Sequence, residues 1–383
     1  MNERAYVNRL GFLKGLAAGT AMPLTGCRNL DAAVKRPTVA YARGCCTVIS
    51  PLVREPVSFF LVGDTHMTLN DDRGNDYLRY TERMGGKRRE SASEADSFRK
   101  TLALAKESKV DLVTLVGDQI SFPTWAGVEF LRRELDAAGV PWLYTSGNHD
   151  WHFEGMPGTE NDLREKYEKE ILAPLYSNGA DPLCFTRIVK GIRFVAIDDS
   201  THEILPQQLD YWRREVATGD PIVLLMHIPL YIPGYCVGEA AVGHPEWGAK
   251  TDPYYKIERR PQWPEEGASK TTLAFRREVF AAPNLLGVFT GHEHVFEIGT
   301  SETGAVQIVC PSNRANAEHV VVRLLPAPES NPPVKVLPPP KYVGSKEDVR
   351  GVPEAGARTS VAGCSDKLCQ VTFGKIKEGN ERD

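Results

Sequence analysis

The sequence predicts an α/β fold with largely parallel strands. From Val57 onwards, apolar runs of strand length alternate with stretches whose apolar residues recur at helical spacing. This alternation is typical of βα units, whose strands lie parallel in a layered sheet. Several of the apolar runs also end alike, in a glycine followed by Asp, Asn or His. These endings indicate a site that is built at the tips of the strands.

The predicted elements follow one another along most of the chain. The main strands are predicted at residues 57–62, 110–116, 141–145, 192–197, 221–226 and 285–290. The helices are predicted at residues 92–107, 128–138, 162–171, 206–217 and 272–281. Three later runs, at 295–297, 306–309 and 320–325, predict antiparallel strands. The connections at 70–90 and 234–270 are long, and loops of that length are usually functional or disordered.

Composition and charge argue against a general binder of nucleic acid or of anionic membranes. The chain has 383 residues, of which 42% are hydrophobic and 25% are charged, as in ordinary globular proteins. Its net charge of −4 shows no basic excess, so no nucleic-acid partner is predicted. A site that handles phosphate must then obtain positive charge locally, and metal ions are one source. The oligomeric state is left open.

Residues 1–27 predict an export signal. Basic residues precede a weakly apolar stretch at 15–25, and a small-residue cleavage motif follows. The quartet Leu24-Thr25-Gly26-Cys27 resembles a bacterial lipobox, in which the cysteine is lipidated. Just before it, a twin-arginine-like segment has Leu10 where the second arginine belongs, so the export route stays open. We expect an exported protein of the periplasm or cell envelope, with a lipid anchor at Cys27.

The predicted catalytic domain occupies residues 55–326. Residues 28–54 show few periodic signals and indicate a linker or lead-in strand. Residues 327–383 begin with a proline-rich linker and continue as a small tail. Close spacing favours a disulfide between Cys364 and Cys369, whereas a disulfide within the vicinal pair Cys45-Cys46 would be strained.

Side chains that bind metals follow five predicted strands. Four strands end in Gly63-Asp64-Thr65-His66, Gly117-Asp118-Gln119, Gly147-Asn148-His149-Asp150 and Gly291-His292-Glu293-His294, and a fifth ends in His227. In parallel sheets, ligands bind beyond the carboxyl ends of the strands. Taken singly, each ending is what a turn or a buried histidine would produce. Together they indicate a metal centre, because unpartnered buried polar groups cost about 1–3 kcal/mol each.

In this order the motifs resemble those of the calcineurin-like metallophosphoesterases, over roughly residues 57–325. The resemblance implies a sandwich of two mixed β-sheets flanked by helices, which binds two divalent ions. The implied ligands of the first ion are Asp64, His66 and His294. The implied ligands of the second ion are Asn148, His227 and His292. Asp118 is implied to bridge both ions.

The resemblance also implies a reaction. A hydroxide that bridges the ions would attack a phosphoric ester, His149 would assist the leaving group without binding metal, and Asp150 would orient His149. Mixed imidazole and carboxylate ligands favour manganese, iron or zinc over calcium. Purple acid phosphatases, a branch of this superfamily, carry a tyrosine three residues after the bridging aspartate. Ser121 stands there in this chain, so ferric-tyrosinate chemistry is not expected.

The substrate class stays open at this point. Cyclic-nucleotide phosphodiesterases, nucleotidases, nucleases and pyrophosphatases use the same constellation. The motifs also match bacterial class III cyclic-nucleotide phosphodiesterases, whose usual cytoplasmic location conflicts with an export signal. A third hypothesis is a non-catalytic lipoprotein with a relic metal site. The presence of all seven candidate metal ligands argues against it. The 234–270 segment carries residues that could line a substrate lid or simply pack on the surface: Trp247, Tyr254, Tyr255, Arg259 and Arg260.

Overall fold

A computed structural model describes residues 36–328, apart from 43, 70, 72, 74–91, 153–157, 177–178, 236–240, 249, 251–265 and 315. The predicted export signal, Cys27, Cys364 and Cys369 lie outside the described residues, as do most of the two long connections. Within the described part, no helix is both long enough and apolar enough to cross a membrane.

Twelve strands and six α-helices are found in the described residues. The strands are β1 (Thr38–Ala42), β2 (Cys45–Ser50), β3 (Val57–Val62), β4 (Leu112–Val116), β5 (Trp142–Thr145), β6 (Cys184–Val189), β7 (Ile192–Ile197), β8 (Ile222–Leu225), β9 (Leu285–Thr290), β10 (Glu297–Thr300), β11 (Val306–Val309) and β12 (Val320–Pro326). The helices are α1 (Ala92–Glu107), α2 (Trp125–Ala138), α3 (Asn148–Trp151), α4 (Glu160–Tyr167), α5 (Pro206–Ala217) and α6 (Lys270–Ala281).

The strands form two mixed sheets of six strands each. The first has the order β1-β2-β12-β3-β4-β5, and the second has the order β10-β11-β9-β8-β7-β6. In the first sheet β3, β4 and β5 are parallel. In the second, β7, β8, β9 and β11 are parallel. The predicted architecture of two mixed sheets flanked by helices is therefore confirmed.

The predicted strands and helices are largely found, and the differences have local causes. The helices predicted at 128–138 and 272–281 begin earlier because Thr124 and Ser269 cap their first turns. The helix predicted at 162–171 is α-helical only to Tyr167 and continues as a π-helical turn at Glu168–Leu172. The last predicted strands are only partly antiparallel, because β11 also runs parallel to β9 and β12 parallel to β2.

Three strands lack a clear sequence signal. Residues 38–50, which the sequence left as a linker or lead-in strand, form β1 and β2 of the first sheet. The edge strand β6 is mostly half-buried, so its apolar pattern is weak. In β2, Cys45 and Cys46 pack into different core clusters, because successive side chains of a strand point to opposite faces.

The core between the sheets depends on aromatic contacts. Phe59 of β3 meets Phe194 of β7 and Phe289 of β9 edge-on, each at 5.2 Å between ring centroids. All three rings are fully buried. A second cluster joins the first sheet to α1 and α2, and a third joins the second sheet to α5 and α6. The central cluster therefore holds together the two sheets that carry the strand tips described below.

Removing the central ring should loosen this packing. Phe59→Ala is expected to lower the free energy of unfolding by about 3–5 kcal/mol, because it leaves a cavity between the sheets. Chemical denaturation measures the change, with Ile188→Thr as control since Ile188 is 59% exposed. Equal stability of the two variants would contradict this role for Phe59.

Candidate metal centre

The carboxyl ends of five strands meet at the seam between the two sheets. Three belong to the first sheet (β3, β4 and β5) and two belong to the second (β8 and β9). The Asp64 N–H donates to the Gly117 carbonyl at 3.1 Å, which ties the tips of β3 and β4 together. His227 joins the sheets, because its Nδ1 donates to the Val116 carbonyl at 2.8 Å. Its Nε2 is thereby turned towards the other strand tips.

Asp64, His66 and His294 form the first group of facing donor atoms. The Nε2 atoms of His66 and His294 are 3.0 Å apart. Asp64 Oδ1 lies 3.3 Å from His294 Nε2 and 3.9 Å from His66 Nε2. This oxygen is buried and has no hydrogen-bond partner, while Oδ2 accepts the His292 N–H at 2.9 Å. The three side chains predicted for the first ion therefore do converge.

Asp118, His227 and His292 form a second group, and Asn148 adjoins it. His227 Nε2 lies 3.3 Å from Asp118 Oδ2, 3.2 Å from His292 Nδ1 and 3.2 Å from Asn148 Oδ1. His227 is fully buried, and Asn148 and Asp118 are nearly so. The side chains predicted for the second ion converge as well.

Asp118 belongs to the environment of both groups. Its Oδ2 lies 3.3 Å from His227 Nε2 on one side and 3.7 Å from His66 Nε2 on the other. Its Oδ1 accepts the backbone N–H of His149 at 2.8 Å, which fixes the plane of the carboxylate. The position is the one that a shared ligand requires.

His149 lies at the open side of the site. Its ring meets the His66 ring edge-on at 4.9 Å between centroids. A ring nitrogen of His149 also lies within 4.8 Å of ligand atoms of His66 and Asp118. His149 is only half-buried, unlike the fully buried His227. It is therefore close to the donor groups and also within reach of a molecule from solvent.

Asp150 acts on the turn that carries His149 and not on the ring. Its Oδ1 accepts the Ile120 N–H at 2.9 Å, and its Oδ2 accepts the Gly147 N–H at 2.9 Å. Any orientation of His149 by Asp150 would therefore pass through the backbone of this turn. Burial, together with the charge of Asp118, raises the pKa of Asp150 to about 7.

Two glycines allow the strand tips to close on one another. A Cβ on Gly147 would clash with the Asp118 carboxylate and backbone nitrogen. A Cβ on Gly117, whose φ is +80°, would clash with the His227 ring. Since Gly117 precedes Asp118 and Gly147 precedes Asn148, each glycine brings a donor into contact with a second strand tip.

Backbone strain is concentrated in the same residues. Nine non-glycine residues of the described ranges have positive φ, and five of them are predicted ligands: Asp64, His66, Asp118, His292 and His294. Such conformations cost about 1–3 kcal/mol each and persist where surrounding structure enforces them. The strain is consistent with a site whose donor positions are fixed before anything binds.

The electrostatics show where positive charge is needed. Burial alone would raise the pKa of Asp64, but His294 and His227 hold it below its ordinary value. Burial works against a charge on His227, yet Asp118 raises the pKa of that ring to about 10. His294 follows the same pattern, because Asp64 outweighs burial and raises its pKa. Each donor group therefore holds one proton-binding histidine against a buried carboxylate, at a place that suits a cation.

The rings of His66 and His292 favour the neutral form. Burial lowers the pKa of His66 to about 4 and that of His292 to about 3. Neutral imidazoles keep a lone pair for a metal. Facing nitrogen lone pairs and the unpartnered Asp64 Oδ1 are a donor set that fits two metal ions.

One further polar group lies near the site and was not predicted from the sequence. A sixth strand, β7, also ends in a polar run, Asp198-Asp199-Ser200-Thr201-His202. The His202 ring meets the His292 ring at 5.7 Å between centroids, and His202 shares the positive φ of the predicted ligands. The run lacks the glycine that marks the other strand tips, but its place after a buried strand was a usable signal.

A family model supplies the decisive comparison. The model for calcineurin-like phosphoesterases matches residues 57–296. The chain belongs to this family. The match confirms the predicted family membership. Members of this superfamily depend on two metal ions. A search of curated proteins finds no significant match.

Several solved structures are similar to this chain. A dimetal phosphatase from Danio rerio has 16% identity over 70% of this chain and 89% of that chain, with a TM-score of 0.45. A purple acid phosphatase from yellow lupin, Lupinus luteus, has 13% identity over 72% of this chain and 47% of that chain, with a TM-score of 0.41. The phosphopantetheinyl hydrolase of Mycobacterium tuberculosis has 12% identity over 75% of this chain and 98% of that chain, with a TM-score of 0.35.

The close approach at Gly147 can be tested by adding one methyl group. Gly147→Ala should push the Asp118 carboxylate away, so the variant is expected to lose bound metal. Gly139→Ala is the matched control, because nothing lies within 4 Å of its added Cβ although its φ is +67°. The control should melt at a lower temperature and still bind metal. Elemental analysis of both proteins decides, and normal metal content in Gly147→Ala would contradict the geometry.

Proposed function

We propose that this protein hydrolyses a phosphoric ester of a small molecule with two divalent metal ions. The observation that carries the proposal is the pair of neighbouring donor groups at the seam between the sheets, with Asp118 Oδ2 of the second group 3.7 Å from His66 Nε2 of the first. Membership of the calcineurin-like phosphoesterase family supports it. Manganese, iron and zinc are the candidate ions, because the donors are imidazole, carboxylate and amide groups.

The proposed ligands follow from the two groups. Asp64, His66 and His294 hold the first ion, whereas Asn148, His227 and His292 hold the second. Asp118 is shared between them. Two divalent cations and two carboxylates leave the centre at about +2, which favours an anionic phosphate over a neutral ester. When bound, the ions supply positive charge for the phosphate oxygens and lower the pKa of a water molecule.

His149 is the proposed proton donor to the departing oxygen. It is half-buried, so it can meet a substrate that arrives from solvent. Its backbone N–H is held by Asp118 at 2.8 Å, and its ring rests against His66. Asp150 keeps the turn in place through Gly147 and Ile120. A positioned general acid of this kind contributes about 10²–10⁴-fold to the rate.

Ser121 stands where purple acid phosphatases carry a tyrosine ligand, so the proposed chemistry involves no tyrosinate. Its hydroxyl donates to the His66 carbonyl at 2.8 Å and accepts from the Thr68 hydroxyl at 3.1 Å. The side chain is therefore engaged in holding the β3 turn. A protein purified with iron should lack the visible charge-transfer band of a ferric tyrosinate.

The activity can be tested with p-nitrophenyl phosphate and bis(p-nitrophenyl) phosphate, assayed side by side with manganese. Asp118→Asn should lose metal and hydrolysis together, because the shared carboxylate is removed. The preferred ester separates a monoesterase from a diesterase. Failure to cleave either ester while two metal ions are bound would count against the proposal.

His149→Ala should behave differently from Asp118→Asn. It is expected to keep both metal ions and to lose about 10²–10⁴-fold in kcat on esters with poor leaving groups. The loss should shrink with p-nitrophenolate, which needs little protonation to depart. A fully active His149→Ala enzyme on a poor leaving group would show that the assigned role is wrong.

We also propose that the protein is exported and lipid-anchored at Cys27. The support is the basic, weakly apolar N-terminal stretch and its lipobox-like quartet. Mass spectrometry of the protein from its native membrane fraction should find a diacylated N-terminal Cys27. An unprocessed Met1 would contradict the proposal.

A further inference from the structure

The loop that follows β7 reaches three different strand tips. We define the β7 loop as residues 198–202, all of which are buried or nearly so. It leads from β7 towards the helix α5. It contains none of the predicted motifs that begin with a glycine. Its contacts go to the elements that carry Asn148, His227 and His292, the three unshared ligands proposed for the second ion.

Asp199 holds the backbone of His227. Its Oδ1 accepts the His227 N–H at 2.9 Å, and both of its oxygens lie 3.2 Å from the Ile228 nitrogen. Asp199 is completely buried, so no water competes for these bonds. The carboxylate fixes the backbone of His227, two residues beyond the end of β8, where its ring faces Asp118.

Ser200 holds the helix that begins with Asn148. Its Oγ accepts the indole N–H of Trp151 at 2.8 Å, and both side chains are fully buried. Trp151 is the last residue of α3, one turn after Asn148. Since α3 has only four residues, a bond at its end restrains the whole turn.

His202 supports the ring of His292. The two rings meet at an interplanar angle of 83°, and the His202 ring also packs on Trp247 at 5.5 Å between centroids. Trp247 is itself fixed by its backbone N–H, which donates to His244 Nδ1 at 2.8 Å. His202 therefore contacts both an indole with a fixed backbone and the ring of His292.

Asp198 fixes the β7 loop to the neighbouring helices α4 and α5. The Arg164 guanidinium of α4 lies 3.4 Å from Asp198 Oδ2, and Asp198 Oδ1 accepts the Ser200 N–H at 2.9 Å. Gln208 of α5 donates to the Asp198 carbonyl. The ligands proposed for the first ion are supported elsewhere: Ser312 donates to the Asp64 carbonyl at 2.6 Å, and Ser121 donates to that of His66.

We infer that the β7 loop is a positioning element for the second metal ion, in which Asp199, Ser200 and His202 hold His227, the Asn148 turn and His292 in place. The inference rests on the proposed function, because it assumes that those ligands bind an ion. Replacing a residue that contacts and orients a metal ligand lowers metal affinity by about 10–100-fold. The β7 loop should therefore affect one of the two ions far more than the other.

The test is a manganese titration of the metal-free protein by calorimetry, with metal content by elemental analysis. Asp199→Asn, Ser200→Ala and His202→Ala should each weaken one of two binding events by about 10–100-fold and leave the other unchanged. Thr201→Val is the matched control, because Thr201 lies in the same loop but contacts the Glu203 carbonyl instead of a ligand. His294→Ala in the wild-type background identifies the first ion by its loss.

The outcomes separate the two proposals. A wild-type protein that binds fewer than two ions would overturn the proposed function and the inference together. Two ions in the wild type with wild-type affinities in all three variants would overturn the inference alone. Equal weakening of both ions, or the same loss in Thr201→Val, would also overturn it, because it would show general loosening. Ser200→Ala removes a single oxygen and serves if Asp199→Asn does not fold.

Discussion

Two buried carboxylates, Asp64 and Asp118, share a water-poor seam between two β-sheets, and negative charge there must be balanced. An isolated ionised carboxylate in such surroundings is strongly disfavoured unless it is paired or binds a cation. Asp118 raises the pKa of His227 and Asp64 raises that of His294, so both rings favour a positive charge beside the carboxylates. Metal ions at the same positions would supply that charge and a partner for Asp64 Oδ1, which no hydrogen bond reaches.

That requirement explains why the fold and the site depend on each other. The donors come from five strand tips of two sheets, so their geometry exists only if the sheets are packed together. Phe59, Phe194 and Phe289 provide that packing. The glycines at 117 and 147 remove the side chains that would keep the tips apart. The tips also hold positive φ at five proposed ligand positions, which the surrounding structure must enforce.

The sequence predicts much of this because its signals are local. The buried strands β3, β4, β5, β8 and β9 are continuous apolar runs, and the motifs at their ends stand out against them. The order of those motifs along the chain indicates the family. Strand pairing between distant parts of the chain leaves no local signal, so the place of β12 between β2 and β3 could not be derived. The proximity of Asp64 and His294 was predicted only through the family resemblance.

The elements that were missed have weak patterns for physical reasons. The strand β6 lies at a sheet edge and is half-buried along most of its length, so it lacks the alternation of buried and exposed residues that marks a strand. Asp150 could be placed beside His149 from sequence, but only coordinates show that its oxygens face Ile120 and Gly147. The β7 loop lacks a glycine and a family motif. Its relation to the site depends on contacts with Trp151, His227 and His292, which are distant in the chain.

The most direct test of the account is a crystal structure of the manganese-loaded protein with anomalous scattering recorded at the manganese edge. The account predicts two peaks about 3.5–4 Å apart, with Asp118 between them. His66 and His294 should contact one peak, and His227 and His292 the other. A single peak, or two peaks that do not share Asp118, would contradict it.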